Sequence, residues 1–354
     1  MRRARGMKLA ALALAGSLAL AACASDETGS GGSGSGASGG SEDGPKIGLA
    51  YDTGGRGDKS FNDSAYAGVE AAIEADGGSV QELSPNSDAS NRADLLTQLA
   101  DQGFNPIIAV GFAYGDVIGE VAQQYPDVSF AIVDSTGVDV ADNVTGLLFA
   151  ANEGSFLGGV AAATKSETGH IGFVGGVETP LIQSFEAGYV AGARAVNPDI
   201  IIDRQYISPA GDFSGFNDPA RGQVVAQGMF DAGADIVYAA AGGSGIGVFQ
   251  AAAASNGRAI GVDSDQYETV GDPALQPVIM TSVLKRVDNA VEAYIGQFVD
   301  GTVEGGSDEV YDLASEGVGL SYSGGFIDDI QSTIDDYTQQ IVDGEITVPE
   351  TPTD

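Results

Sequence analysis

The chain has 354 residues, 15 Lys+Arg against 50 Asp+Glu for a formal net charge of −35, 43% hydrophobic residues and 53 glycines. So acidic a surface repels nucleic acid. One Cys supplies neither an internal disulfide nor a CxxC metal site, and one His argues against a Ser-His-Asp hydrolase or a multi-His metal centre. The apolar fraction is enough for true cores, and the length fits about two domains at roughly 100–200 residues each.

Arg2, Arg3, Arg5 and Lys8 form a basic start, and Leu9 to Leu20 is an apolar stretch short of the roughly 20 residues a stable span requires. It ends in Leu20-Ala21-Ala22-Cys23, which resembles a bacterial lipobox. That resemblance implies cleavage after residue 22 and lipidation of Cys23. The simpler alternative is an ordinary signal peptide with an incidental Cys. Cleavage removes the four basic residues and no acid, taking the charge to −39. The Gly/Ser run from Gly29 to Ser41 reads as a flexible tether within a linker reaching residue 45.

From Lys46 the pattern alternates. Ile47–Tyr51 predicts a strand, Ser60–Glu74 and Asp88–Gln102 helices, Pro106–Val110 a strand, then a helix through Gln124 and a strand over Val128–Val133. The alternation restarts with a strand at His170–Val174, a helix at Pro180–Val196 and a strand beginning at Ile200–Ile202. A helix at Arg221–Ala232, strands at Asp235–Ala240 and Ala259–Val262, and a helix opening at Gly242–Gly245 complete it. Near-continuous apolar strands between amphipathic helices imply parallel sheets covered on both faces. Asn143–Ala150, Val278–Val283 and Asp308–Leu320 read as three hinge crossovers, with helices at Val287–Val299 and Ile327–Ile341. The expected lobes are 46–149 plus 284–307 and 150–283 plus 308–354. Ligands of open α/β sheets bind beyond the carboxyl ends of the strands, so two such edges facing across a hinge make a cleft.

Six stretches fall in order along that frame: Asp58-Lys-Ser-Phe-Asn-Asp63, Glu153-Gly-Ser-Phe-Leu-Gly-Gly159, Gly169-His-Ile-Gly-Phe-Val-Gly-Gly176, Ala239-Ala-Ala-Gly-Gly-Ser-Gly245, Gly261-Val-Asp-Ser-Asp-Gln266 and Thr281-Ser-Val-Leu-Lys285. Together they resemble the basic membrane protein family of ABC-transporter substrate-binding lipoproteins, from about Lys46 to Tyr337. The resemblance implies a type I periplasmic-binding-protein fold and a purine-nucleoside ligand. By the same resemblance, Asp263 and Lys285 would hold ribose hydroxyls, and Phe216 would be the second ring that sandwiches the base.

The residues make chemical sense by themselves. Phe61 can stack on a planar base or serve as a hydrophobic staple at a helix start. Asn62 offers a donor and an acceptor. Asp134 ends a strand and either accepts from a purine edge or caps a turn. Lys285 is either a ligand group or a hinge salt bridge. Phe213, three residues from Phe216, competes for the second stacking position. Gly242 and Gly243 permit close backbone approach to a neutral ligand. Of Asp52 and Asp58, which flank the first Gly-rich turn, Asp52 is preferred as the ligand group. Asp263-Ser-Asp265 falls short of a calcium loop, and His170 reads as structural.

The expected function is lipid-anchored capture of a purine nucleoside on the extracytoplasmic face of the cell membrane, for an ABC permease. The receptor would be a monomer without cofactor, metal or catalysis. A sugar or other metabolite ligand in the same fold, a nucleoside hydrolase or phosphorylase, and a surface antigen with a vestigial cleft are the alternatives.

Overall fold

The computed structural model describes residues 44–86 and 89–352. The basic start, the apolar stretch, Cys23, the Gly/Ser run and Asp88, where the second helix was expected to begin, lie outside the described residues.

The first sheet is built from β1 (Lys46–Ala50), α1 (Phe61–Asp76), β2 (Ser79–Leu83), α2 (Arg92–Asp101), β3 (Ile107–Ala109), α3 (Gly115–Gln124), β4 (Phe130–Val133) and β5 (Val144–Phe149). The chain then crosses to α4 (Ala151–Lys165), β6 (His170–Val177), α5 (Pro180–Val196), β7 (Ile201–Ser208), α6 (Pro219–Ala232), β8 (Ile236–Ala240), α7 (Gly245–Ser255), β9 (Arg258–Asp263), α8 (Gln266–Thr269) and β10 (Ile279–Lys285). It returns through α9 (Val287–Asp300) and β11 (Ser307–Tyr311), then crosses again to β12 (Val318–Leu320) and α10 (Gln331–Val342).

The strand orders are β2-β1-β3-β4-β5-β11 and β7-β6-β8-β9-β10-β12, the same order built twice. In each sheet the chain reverses direction beside its first strand, the switch point at which open α/β sheets leave a crevice. This is the two-lobed α/β fold read from the sequence, with one departure: β12 runs antiparallel to β10.

The lobe boundaries shift as well. β10 pairs with β9 through Leu284 and with β12 at Lys285, so Lys285 belongs to the second lobe and not to a segment starting at 284. Ser307–Tyr311 pairs residue for residue with Thr145–Phe149, so the last crossing falls after Tyr311 instead of at 308. In both places a strand continues its ladder to the hinge, because a buried backbone requires its hydrogen bonds to the end.

Helices seal each sheet on both faces. In the first lobe α1 and α9 bury Ala65, Val69, Ala290, Val291 and Tyr294 over one face, and α2 and α3 bury Leu96, Leu99, Ile118 and Val121 over the other. In the second lobe α4, α5 and α10 cover one face and α6 and α7 the other. Caps fix where α5, which bears site residues, and α6, which follows the Phe216 loop, begin. Thr179 accepts from Ile182 N at the start of α5 and Asp218 from Arg221 N at the start of α6, each followed by Pro at the first helical position.

Candidate binding site between the lobes

One cavity lies between the carboxyl ends of the two sheets, with about 540 Å³ of unfilled space, part of it open to solvent. Its first-lobe wall comes from the ends of β1, β3 and β4 and the start of α1: Asp52, Asp58, Phe61, Asn62, Phe112 and Asp134. The second lobe adds Leu181, Ile182 and Phe185 from α5, then Phe216, Gly242, Asp263 and Lys285. Eight of the nine expected residues therefore meet in one place. Gly243 does not line the cavity; it packs towards Asp58 and Asn217.

The charged centre is a cross-lobe cluster. Lys285 Nζ lies 2.5 Å from Asp134 Oδ2 and 3.9 Å from Asp263 Oδ1, with the Lys285 and Asp134 side chains both 4% exposed. Lys285 thus forms the hinge-side salt bridge and a cavity wall at once. Three rings surround its ammonium: Phe61 at 4.4 Å, Phe149 at 5.3 Å and Phe185 at 5.7 Å from ring centroid to Nζ. Asp134 and Asp263 end the equivalent fourth strands of the two sheets, and both adopt left-handed backbone, φ 64° and 62°. Asp tolerates this region better than most residues, and strain kept at two matching positions marks a site.

The bonding state of each carboxylate differs. Asp134 Oδ1 is buried and has no hydrogen-bond partner among the described residues. Asp263 Oδ2 accepts from Ser60 Oγ at 2.6 Å, across the cleft. Burial pushes the Asp263 carboxyl up, Lys285 and Ser60 oppose this, and Asp134 adds to it. Asp58 accepts from Ser60 N, Asn62 N, Asp63 N and Asn62 Nδ2 and so caps α1. Desolvation still raises it, to about 6.

Asn62 is more occupied than expected. Its Oδ1 accepts from Asp52 N and its Nδ2 donates to Asp58, so it ties the β1–α1 loop together and keeps one N–H and one lone pair for anything else. Phe216 lies on the cavity while Phe213 does not; a Cβ on Gly176 would meet the Phe216 ring at 2.4 Å, so the bare backbone there makes room for it. Phe213 instead approaches Phe112 of the other lobe, 5.9 Å between centroids. His170 is paired with Asp203 at 2.9 Å, away from the cavity.

Sequence reading missed Phe112, Leu181, Ile182 and Phe185. Phe112 had a usable signal, since it follows β3 directly. The α5 residues lie in the first two turns of an amphipathic helix and look like core.

Further hydrogen bonds close the cleft. Ser264 Oγ donates to Ser60 O at 3.0 Å, and Gln266 Nε2 donates to Lys59 O at 3.0 Å. Two sheets of equal order, joined by three crossings and closed over a cavity of rings and carboxylates, define a small-molecule binding protein of the bilobal receptor class. The particular family follows from comparison. The family model Bmp, described as ABC transporter substrate-binding protein PnrA-like, matches residues 46–352, and the chain belongs to this family.

Among curated relatives, the CD4+ T-cell-stimulating antigen of Listeria monocytogenes is 39% identical over 329 residues, 86% of this chain and 88% of that protein. The ABC transporter nucleoside-binding protein BmpA of Lactococcus lactis is 35% identical over 362 residues, 98% and 99% of the two chains. Among solved structures, an ABC transporter solute-binding protein from Aeropyrum pernix K1 superposes with a TM-score of 0.75 at 28% identity, covering 88% of this chain and 94% of that one. The protein is an ABC-transporter substrate-binding protein of an extracytoplasmic family. Among the described residues no helix is long and apolar enough to cross a membrane.

Proposed function

We propose that the protein is a lipid-anchored receptor, held by Cys23 outside the cytoplasmic membrane as a monomer, that captures a purine nucleoside and presents it to the permease of an ABC importer. The observation that carries the ligand reading is the buried, unpartnered Asp134 Oδ1 in a cavity walled by phenyl rings from both lobes. A buried carboxylate oxygen without a donor is costly, and a ring N–H or amino group of a base supplies one. In this reading Phe61 and Phe216 flank the base, and Asp263 and Lys285 take ribose hydroxyls through charge-assisted bonds. Asp52 and Asn62 offer further polar contacts, and the Gly242 backbone allows close approach. The nucleoside named for the Lactococcus relative accords with this lining.

Charge selects further. The wall carries Asp52, Asp58, Asp134 and Asp263 against one ammonium, Lys285, so a phosphate dianion would be repelled; a nucleoside fits and a nucleotide does not. No chemistry is required: closure desolvates the ligand, and the closed shape is the signal to the permease.

Mass spectrometry of small molecules released by denaturing the purified protein tests the ligand. An intact purine nucleoside is expected, and a free sugar in its place would overturn this reading. Inosine incubated with the protein should be recovered whole; accumulation of hypoxanthine would make the protein an enzyme. Metabolic labelling with a fatty acid should tag the wild type and not Cys23→Ala, and equal labelling would remove the anchor.

A further inference from the structure

Arg92 lies behind the cavity wall, at the first turn of α2, and is 7% exposed. Its Nη2 donates to Asp52 Oδ1 at 3.1 Å and to Thr53 Oγ1 at 3.4 Å, and its Nη1 donates to Ala89 O at 3.3 Å. Asp52 Oδ1 also accepts from Thr53 N at 2.7 Å. One oxygen of this cavity-lining carboxylate is therefore held twice, while Oδ2 has no protein donor among the described residues. Gly111 leaves space for that oxygen: its φ is +108°, and a Cβ there would stand 2.6 Å from Asp52 Oδ2. The same guanidinium lies 4.9 Å from the ring centroid of Phe213, which comes from the other lobe. The closed arrangement thus covers the Arg92–Asp52 pair with an aromatic ring, in the low dielectric where ion pairs act most strongly.

We propose that Arg92 is a positioning residue for ligand capture: it holds the Asp52 carboxylate as an acceptor turned to the cavity, and Phe213 completes its surroundings only when the lobes meet. The proposal rests on the nucleoside reading above.

The charged and titratable groups around Asp52 are Arg92 from α2, Asp58 in its own loop, Tyr114 beyond β3 and Asp134 beyond β4. Asp263 and Lys285 face it from the second lobe along the same cavity. Burial raises the Asp52 carboxyl, and Asp134 adds to this; the Thr53 amide and Arg92 oppose it. Without Arg92, Asp52 should take up a proton at a higher pH and cease to accept.

Calorimetry of the mature chain with inosine, from pH 5.5 to pH 8, tests this on wild type, Arg92→Gln, Asp52→Asn and the double variant. Arg92→Gln should weaken binding at least tenfold near neutrality, and its loss of affinity on acidification should set in at higher pH than in the wild type. In the Asp52→Asn background the same change should shift affinity less than threefold. Equal weakening in both backgrounds, or a pH profile parallel to the wild type, overturns the assignment. If Arg92→Gln alone does not fold, Asp52→Asn against the double variant still decides: a further loss of more than threefold on adding Arg92→Gln overturns the assignment, because Arg92 then acts through a group other than Asp52. A wild type that binds neither inosine nor guanosine overturns the nucleoside reading and this one with it; binding with a parallel profile overturns this one alone.

Discussion

Lys285 holds two carboxylates from two lobes within 4 Å, and each of the three groups is nearly out of water. Buried charges are retained only where partners compensate them; among the described residues Asp134 Oδ1, Asp265 Oδ1 and Arg92 Nε are buried without a hydrogen-bond partner, and of these three residues Asp134 is the one that lines the cavity. Asp134→Ala should weaken nucleoside binding at least tenfold, about 1.4 kcal/mol, and Phe61→Ala should do the same by removing stacking area. Calorimetry checks both, and unchanged affinity in the pair would mean that the ligand lies elsewhere.

Asp58 gives a pH prediction. Its carboxyl is raised from 3.8 to about 6 by desolvation, despite three backbone N–H bonds. A raised acid binds more protons in the folded state than in the unfolded chain between those values, so its stabilising contribution is full below about pH 4 and is lost as pH rises through 6. The unfolding free energy of the wild type minus that of Asp58→Asn should therefore fall between pH 4 and 6 and level off above. Urea denaturation across that range reads it, and a difference that rises with pH would contradict the assignment.

At the scale of elements, the β1–α1 loop supplies several of the hydrogen bonds by which the first lobe holds the second. Ser60 does not line the cavity, yet its hydroxyl reaches Asp263 and its carbonyl receives Ser264. Ser60→Ala removes a cross-cleft hydrogen bond worth about 1 kcal/mol. It should thus weaken ligand affinity roughly fivefold. An affinity equal to wild type would show that closure does not draw on this contact.

The elements legible in the sequence were those with a clear period or a long apolar run, such as β4, β6, β8 and α5. Those that escaped share a reason. α4 buries residues on every side and is rich in Gly and Ala, so it has no amphipathic stripe to find. β2 and β11 are edge strands, SVQEL and SDEVY, whose polar residues resemble a loop. Asp134 was singled out as a carboxylate at a strand end, whereas Asp263 and Lys285 were singled out through the family resemblance; all three line the cavity. The occupied state of Asn62 was not legible, because both of its partners come from loop geometry that no period encodes.

At the scale of the whole molecule, one strand order repeated in two lobes brings Asp134, Asp263 and Lys285 together across three crossings. Neither lobe alone forms the site. In the proposed reading this site takes a base and a ribose as one object. A calorimetric comparison of inosine and guanosine with free ribose and free hypoxanthine tests it most directly. The nucleosides should bind one per protein and at least a hundredfold tighter than either fragment, about 2.7 kcal/mol. Free ribose binding as tightly as the nucleosides would contradict the account, as would no binding of any of the four.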